Sequence, residues 1–317
     1  MKIATFEANK RERLGAVIGD KIIDLSMAYA EYLLAVKKIG NRRAKNIATR
    51  RVPSEILSFL RGSQEALDAS DKGLDYIKRR HFESPSVFYL DSVTLRPPVP
   101  RPSKLVCFGL NFEDYRKILG IEPSSVPLFF LKPPSTLIGP GETIVLPKGY
   151  GEIYHEFELA AVIWRRARKL SRREAYDAIF GFTIFNDITA HDLELLSREY
   201  QPWAKAFDTF SPMGPWIVTK DQMPEDLYDL KMTRRRNGQT ECESSTKQMR
   251  WKIHEMIPFI STFTTLEPGD VVTFASPPAG PIYPGDVIEA EVEGIGVLRN
   301  PVAGEEIGYE YARAAGL

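Results

Sequence analysis

The sequence predicts a mixed, β-rich α+β fold in two parts, and three features of its 317 residues predict it. Short runs of alternating apolar and polar residues dominate the later two thirds of the chain. Helical periodicity is concentrated between about residues 25 and 80. Between these regions, "LRPPVPRPSK" (Leu95 to Lys104) holds too much proline for a helix or a central strand. The expected organisation is a small α+β N-terminal domain at 1–94, a proline-rich linker at 95–103 and a larger strand-rich domain at 104–317.

The elements follow in order. "KIATFEA" and "LGAVIGDKIIDLS" read as short strands, with a tight turn at Gly19-Asp20. "SMAYAEYLLAVKKI" and "PSEILSFLRGSQEALDASDKGLDYIKRR" read as helices, the second with Pro53 near its start. The basic piece between them, "KKIGNRRAKNIATRR", reads as a solvated helix face. After the linker come strands: "KLVCFGL", "LFFLKP", "TIVLP", "FELAAVIW", "GFTIFND", "GPWIVT", "LKMTRRRNG", "VVTFA" and "DVIEAEVEGIGVLRNPV". Asn237-Gly238 marks a hairpin. Two helices interrupt. "SRREAYDAI" carries a capping box at Ser171 and Glu174. "TKQMRWKIHEMIPFISTF" carries an apolar stripe at Met249, Ile253, Met256, Ile257 and Ile260, with a structural His254 beside it.

Composition excludes several functions. The 42 basic and 42 acidic residues cancel, so no electrostatic case exists for nucleic acid or an anionic membrane surface. No run of about 18 apolar residues predicts a spanning helix. Charges break up the N-terminus where a signal peptide needs an apolar centre, so a cytoplasmic protein is expected. Cys107 and Cys242 have no metal-ligand spacing and read as reduced thiols. The four histidines form no H-x-x-x-H pair, which argues against zinc. The Gly-x-Gly of "EGIGVL" lacks a third glycine and a following helix, so it is no dinucleotide site.

The chemistry lies in "YHEFELAAVI". Glu156 and Glu158 stand two apart, and residues i and i+2 of a strand share a face. Taken alone, the pair reads as the exposed face of an edge strand. Downstream, Asp187 ends the apolar strand of "GFTIFNDITAHDLE", a place for a ligand or for a helix N-cap. Lys205 lies among aromatics and small residues in "WAKAFDTFSPMGPWIV", either at the surface or desolvated toward an anion. Three converging carboxylates repel one another, and a hard divalent ion removes that cost. Oxygen ligation suits Mg²⁺ or Mn²⁺, with Ca²⁺ as a further candidate.

These pieces resemble the fumarylacetoacetate hydrolase superfamily, in order, from about Pro97 to Val302. "KLVCFGLNFEDY" resembles the opening of its catalytic domain, and "LFFLKPPSTLIGPGETIVLP" its lysine-proline-serine segment. "HEFELAAVI" resembles its E-x-E metal strand, "GFTIFNDITAHDLE" its third-ligand strand and "AKAFDTFSPMGPWIV" its lysine segment. "LEPGDVV" and "GIGVLRNPV" resemble its closing strands. "RLGAVIGDKIIDLS" resembles the small domain that precedes the catalytic one in many members. The resemblance implies a β-roll or barrel-like catalytic domain in a homodimer. It implies Mg²⁺ or Mn²⁺ on Glu156, Glu158 and Asp187, with Lys205 beside the substrate. It also implies Asn111, Lys132, Ser135 and Ser276 as substrate-binding residues and a 2-oxo or 1,3-dioxo acid as substrate.

One departure stands out. Many hydrolytic members carry N-Y-x-x-H-x-x-E, in which the histidine activates water. This chain reads "NFEDYRKI", with Tyr115 in the histidine's place and Ile118 in the glutamate's. A tyrosine titrates near pH 10 and is a poor base at neutrality. Glu113 and Asp114 read as first-turn helix acids. His191, where the family usually has arginine, is a candidate for the missing imidazole. Family frequency favours C–C bond hydrolysis of the fumarylacetoacetase or acylpyruvase kind. The lost dyad favours a decarboxylase, isomerase (tautomerase) or dehydratase, with Tyr115 as proton donor. A non-catalytic metabolite-binding member is the third reading, and the retained acids and Lys205 argue against it.

Overall fold

The computed structural model describes residues 1–308, 310–314 and 316. Its centre is a twelve-stranded sheet. Ten strands form one path: Val87–Tyr89, Lys21–Asp24, Arg11–Ile18, Lys2–Ala8, Ser211–Thr219, Ile179–Asn186, Phe157–Ile163, Val271–Thr273, Leu105–Gly109 and Leu128–Lys132. Neighbours on this path are antiparallel except Val271–Thr273 and Leu105–Gly109, which run parallel. A five-stranded sheet runs from Gln239–Ser245 through Lys231–Arg236, Val287–Val292 and Gly296–Gly308 to Ile144–Lys148. A three-stranded sheet joins Thr189–Ala190, Ile153–His155 and Gly280–Ile282. The mixed, sheet-rich α+β class stands.

Side-chain alternation places a core on each face of the large sheet. Phe157, Leu159, Ala161 and Ile163 pack with the helix Ile253–Phe263 and with Met232, Ala290 and Val292 of the five-stranded sheet. Ala160 and Val162 face the other way, into a core shared with Leu25, Leu33, Phe59, Leu60 and Leu74. Those residues belong to the N-terminal helices Leu25–Ala35, Ile56–Arg61 and Ser63–Arg79.

The N-terminal part therefore shares both sheet and core with the rest. Lys2 and Ile3 pair with Val218 and Ile217. Trp164 Nε1 donates to the Leu60 carbonyl at 3.1 Å. The proline-rich stretch begins as an edge: Thr94–Leu95 pairs with Lys2–Ala8, and the Thr5 hydroxyl holds the Pro98 carbonyl at 3.0 Å. Asn41–Arg51, the basic segment, is a helix that buries Ala44 and Ala48 and exposes its arginines.

Turn chemistry behaves as the residues dictate. Asn237 and Gly238 both take positive φ, at 53° and 77°, and join Lys231–Arg236 to Gln239–Ser245. The segment at Ser171 differs from expectation. Half of the capping box forms, with Ser171 N donating to Glu174 Oε2 at 2.8 Å, while Glu174 N donates to the Ser171 carbonyl, and only a turn and the 3₁₀ turn Tyr176–Ala178 follow. The apolar stretch there is too short to bury a helical face. Met249 lies outside the helix Ile253–Phe263, on which His254 meets the Tyr228 hydroxyl at 2.9 Å. Both thiols are free, Cys107 buried and Cys242 half-buried. Among the described residues no helix is long and apolar enough to cross a membrane.

Candidate metal and active site

At Glu156 the chain passes from one sheet to another. Ile153–His155 belongs to the three-stranded sheet and Phe157–Ile163 to the large one, with Glu156 between them. The Glu156 carbonyl accepts from Asp187 N at 2.8 Å, which ties this crossing to the end of the strand Ile179–Asn186. One carboxylate oxygen each from Glu156, Glu158 and Asp187 lies within 4.8 Å of the others. The i, i+2 spacing and the strand-end aspartate do converge.

Burial makes this cluster costly without a cation. It pushes Glu158 well above the usual carboxylate range, and the Asp187 charge adds to the effect. Burial likewise raises Glu156, to about 7, with Asp187 and Glu194 adding and Lys205 opposing. For Asp187 burial acts upward too, but Lys132 and Lys205 outweigh it and hold the carboxyl below its ordinary value. Glu158 Oε2 is buried with no hydrogen-bond partner. Three hard oxygen donors, one of them orphaned in the interior, fit a divalent cation.

Lys205 follows the short helix Gln201–Ala204 and is buried. Its Nζ meets Asp187 Oδ2 at 2.8 Å, Thr189 Oγ1 at 2.7 Å and Glu156 Oε2 at 3.2 Å. It stands 4.9 Å from the centre of the Phe130 ring and 3.8 Å from Glu194 Oε1. Burial opposes its charge, but Asp187, Glu156 and Glu194 prevail and raise its pKa.

Tyr115 is buried within reach of the same field. Burial lifts its hydroxyl above the ordinary tyrosine range, Glu156 and Glu194 lift it further, and Lys205 opposes. His191 begins the helix His191–Leu196 and stacks on Tyr154, with ring centres 4.0 Å apart. Its Nδ1 is buried without a partner. Glu113 pairs with Arg116 at 2.5 Å, and Asp114 accepts from Tyr115 N at 2.8 Å, so both acids serve their helix.

The four expected substrate-binding residues have these surroundings. Lys132 is fully engaged inside the fold, donating to Asp187 Oδ1 at 2.5 Å and to the carbonyls of Ile188 and Phe210. Three N–H groups have three acceptors, so none remains for a ligand. Asn111 is a clamp: its amide donates to the carbonyls of Trp251 and Phe274 and accepts from Trp251 N at 2.8 Å. Ser135 is exposed on the 3₁₀ turn Pro134–Thr136. The buried Ser276 donates to the Pro277 carbonyl at 2.6 Å. Sequence reasoning missed Thr189 and Glu194. Both lie in the quoted segment after Asp187, and a helix begun there puts Glu194 one turn beyond His191.

The family model for the fumarylacetoacetate (FAA) hydrolase C-terminal domain matches residues 104–303, which include every residue of this site. The chain belongs to the fumarylacetoacetate hydrolase family. The mitochondrial oxaloacetate tautomerase FAHD2A of Bos taurus is 34% identical over 248 residues, 75% of this chain and 78% of that protein. The maleylpyruvate hydrolase of Sphingobium sp. SYK-6, solved with manganese(II) and pyruvate, superposes with a TM-score of 0.71. It is 28% identical and covers 96% of this chain and 100% of its own. The 5-carboxymethyl-2-hydroxymuconate delta-isomerase of Mycobacterium smegmatis gives a TM-score of 0.72 at 26% identity, over 97% and 100% of the two chains. The family thus holds hydrolases, isomerases and tautomerases, and this member is an enzyme of that range.

Proposed function

We propose that this family member is a divalent-metal-dependent tautomerase that interconverts the enol and keto forms of a 2-oxo acid. The observation that carries the reading is Tyr115. It occupies the position of the hydrolytic histidine, and a tyrosine, already protonated at neutral pH, is pushed further up here by burial and by the Glu156 charge. Such a group gives a proton and does not activate water. Proton movement between oxygen and carbon needs no water nucleophile. The identity shared with oxaloacetate tautomerases supports the same choice.

Glu156, Glu158 and Asp187 would hold Mg²⁺ or Mn²⁺. When bound, such an ion supplies Lewis-acid polarisation of a keto oxygen. Lys205 adds a fixed positive charge beside the same carboxylates and stabilises negative charge that develops on the substrate. Tyr115 holds its proton at Oη until the enolate oxygen or carbon takes it. Phe130 and the buried strand ends keep bulk water from Lys205.

C–C hydrolysis is the second reading, favoured by the likeness to maleylpyruvate hydrolase. One panel separates the two. Enol oxaloacetate is followed by loss of its ultraviolet absorbance, and acylpyruvates are followed by acid release, each with Mg²⁺, Mn²⁺ and chelator. The proposal expects metal-dependent enol conversion and little acid release. Rapid acid release with no enol conversion would overturn it. Glu158→Gln is expected to abolish the melting shift that Mg²⁺ gives the native chain, about 2.7 kcal/mol at a hundredfold excess over Kd.

A homodimer is part of the proposal. Leu128, Phe129 and Leu131 lie exposed on the last strand of the large sheet, where Phe129 meets the exposed Phe263. A bare apolar edge of this kind is a liability unless another chain covers it. Light scattering should return twice the chain mass, and Phe129→Glu should halve it.

A further inference from the structure

We infer that Glu194 is the general base of this site, taking the proton from the carbon next to the keto group; the inference rests on the tautomerase reading above. Every other carboxylate named around Tyr115 is committed. Glu156, Glu158 and Asp187 form the cation cluster. Glu113 is paired with Arg116, and Asp114 accepts from Tyr115 N. Asp192, two residues before Glu194, accepts from Glu152 N at 3.0 Å.

Glu194 stands apart from these. It lies on the helix His191–Leu196, seven residues beyond Asp187, with 24% of its side chain exposed. Its Oε1 accepts from Gln201 Nε2 at 3.2 Å and sits 3.8 Å from Lys205 Nζ. Gln201 opens the helix that Lys205 follows, so one short segment fixes both the carboxylate and the ammonium. No described residue bonds Oε2. The charge of Glu194 also acts on Glu156 and Tyr115, which brackets it with the same small volume. The measured neighbours of Glu194 both come from the next segment: the Gln201 amide and the Lys205 ammonium.

The proton leaves carbon in the keto-to-enol direction. The C3–H bond breaks and its proton goes to Glu194 Oε2. The bonding pair becomes the C2=C3 double bond. The carbonyl π pair moves to oxygen, which takes the Tyr115 proton. Glu194 then releases its proton to solvent through its exposed side, and Tyr115 recovers one.

The test compares the metal-loaded full chain with Glu194→Gln and Glu194→Asp. The readouts are enol-to-keto conversion of oxaloacetate and binding of oxalate, an enolate mimic, by calorimetry. General base removal is worth about 10²–10⁴-fold. Glu194→Gln is expected to lose kcat on that scale while KM and oxalate affinity stay within twofold. Glu194→Asp is expected to recover part of the rate. Full activity in Glu194→Gln beside an active native chain would overturn the base assignment alone. Parallel loss of kcat and oxalate binding would overturn it too, by assigning Glu194 the placing of Lys205. A native chain without enol conversion would overturn the tautomerase reading and the base with it.

Discussion

Two buried lysines grip one carboxylate, and only Lys205 also reaches a second carboxylate of the cluster, Glu156. Lys132 gives all three of its protons to Asp187, Ile188 and Phe210. Its removal leaves Asp187 with Lys205 alone and takes a buried donor from two carbonyls. Lys132→Met is therefore expected to lose about 3–5 kcal/mol in denaturant unfolding. A variant that unfolds at the native midpoint would refute the structural assignment. Asn111 belongs to the same class. Asn111→Ala should cost about 1–3 kcal/mol through its unpaired partners, with KM unchanged where the protein remains folded. A large rise in KM without loss of stability would return Asn111 to the substrate.

Residue types showed where charge would gather but not which donors the fold would use up. Glu158 and Asp187 were legible because strand periodicity and a strand end fix their direction, whereas Glu156 lies between two strands and Lys205 follows a helix. The internal partners of Lys132 and Asn111 were not legible, because they include main-chain carbonyls as distant in sequence as Phe210 and Phe274, to which no motif points. Glu194 escaped because its placement depends on where the chain turns after Asp187, and composition is silent on that angle.

At the scale of elements, close approach outweighs propensity. Gly73 sits inside the helix Ser63–Arg79, where alanine would ordinarily gain about 1 kcal/mol. A Cβ there would stand 2.7 Å from Tyr29 N and 2.9 Å from the Ala28 carbonyl carbon, both backbone atoms of the facing helix. Gly73→Ala should therefore destabilise, by about 1–3 kcal/mol net, as helices forced apart lose contact. A higher melting temperature would contradict this packing. The capping signals at Ser171 show the converse. One of the two capping bonds formed, but no apolar stripe followed to make a helix of it. Strands were legible through alternation. Their order was not, because pairing between residues so far apart in sequence leaves no local trace.

Across the whole molecule, the proline-rich stretch marks a change of composition, and one sheet continues past it. The N-terminal strands continue the large sheet beyond Ser211–Thr219, and the N-terminal helices cover one of its apolar faces. A chain reduced to residues 104–317 would bare both the strand edge and that face. It should bind hydrophobic dye and melt without a cooperative transition. A sharp, reversible melt of that fragment would show that the catalytic part is self-sufficient.

The pairing of Lys2 with Val218 also sets a schedule for synthesis. At about 5–20 residues per second, roughly 10–40 s separate the appearance of these two partners on the ribosome. Throughout that interval the nascent hairpin has one unclaimed side. Its tip carries Lys10, Arg11, Glu12 and Arg13, charges that discourage wrong partners while the right one is still being made.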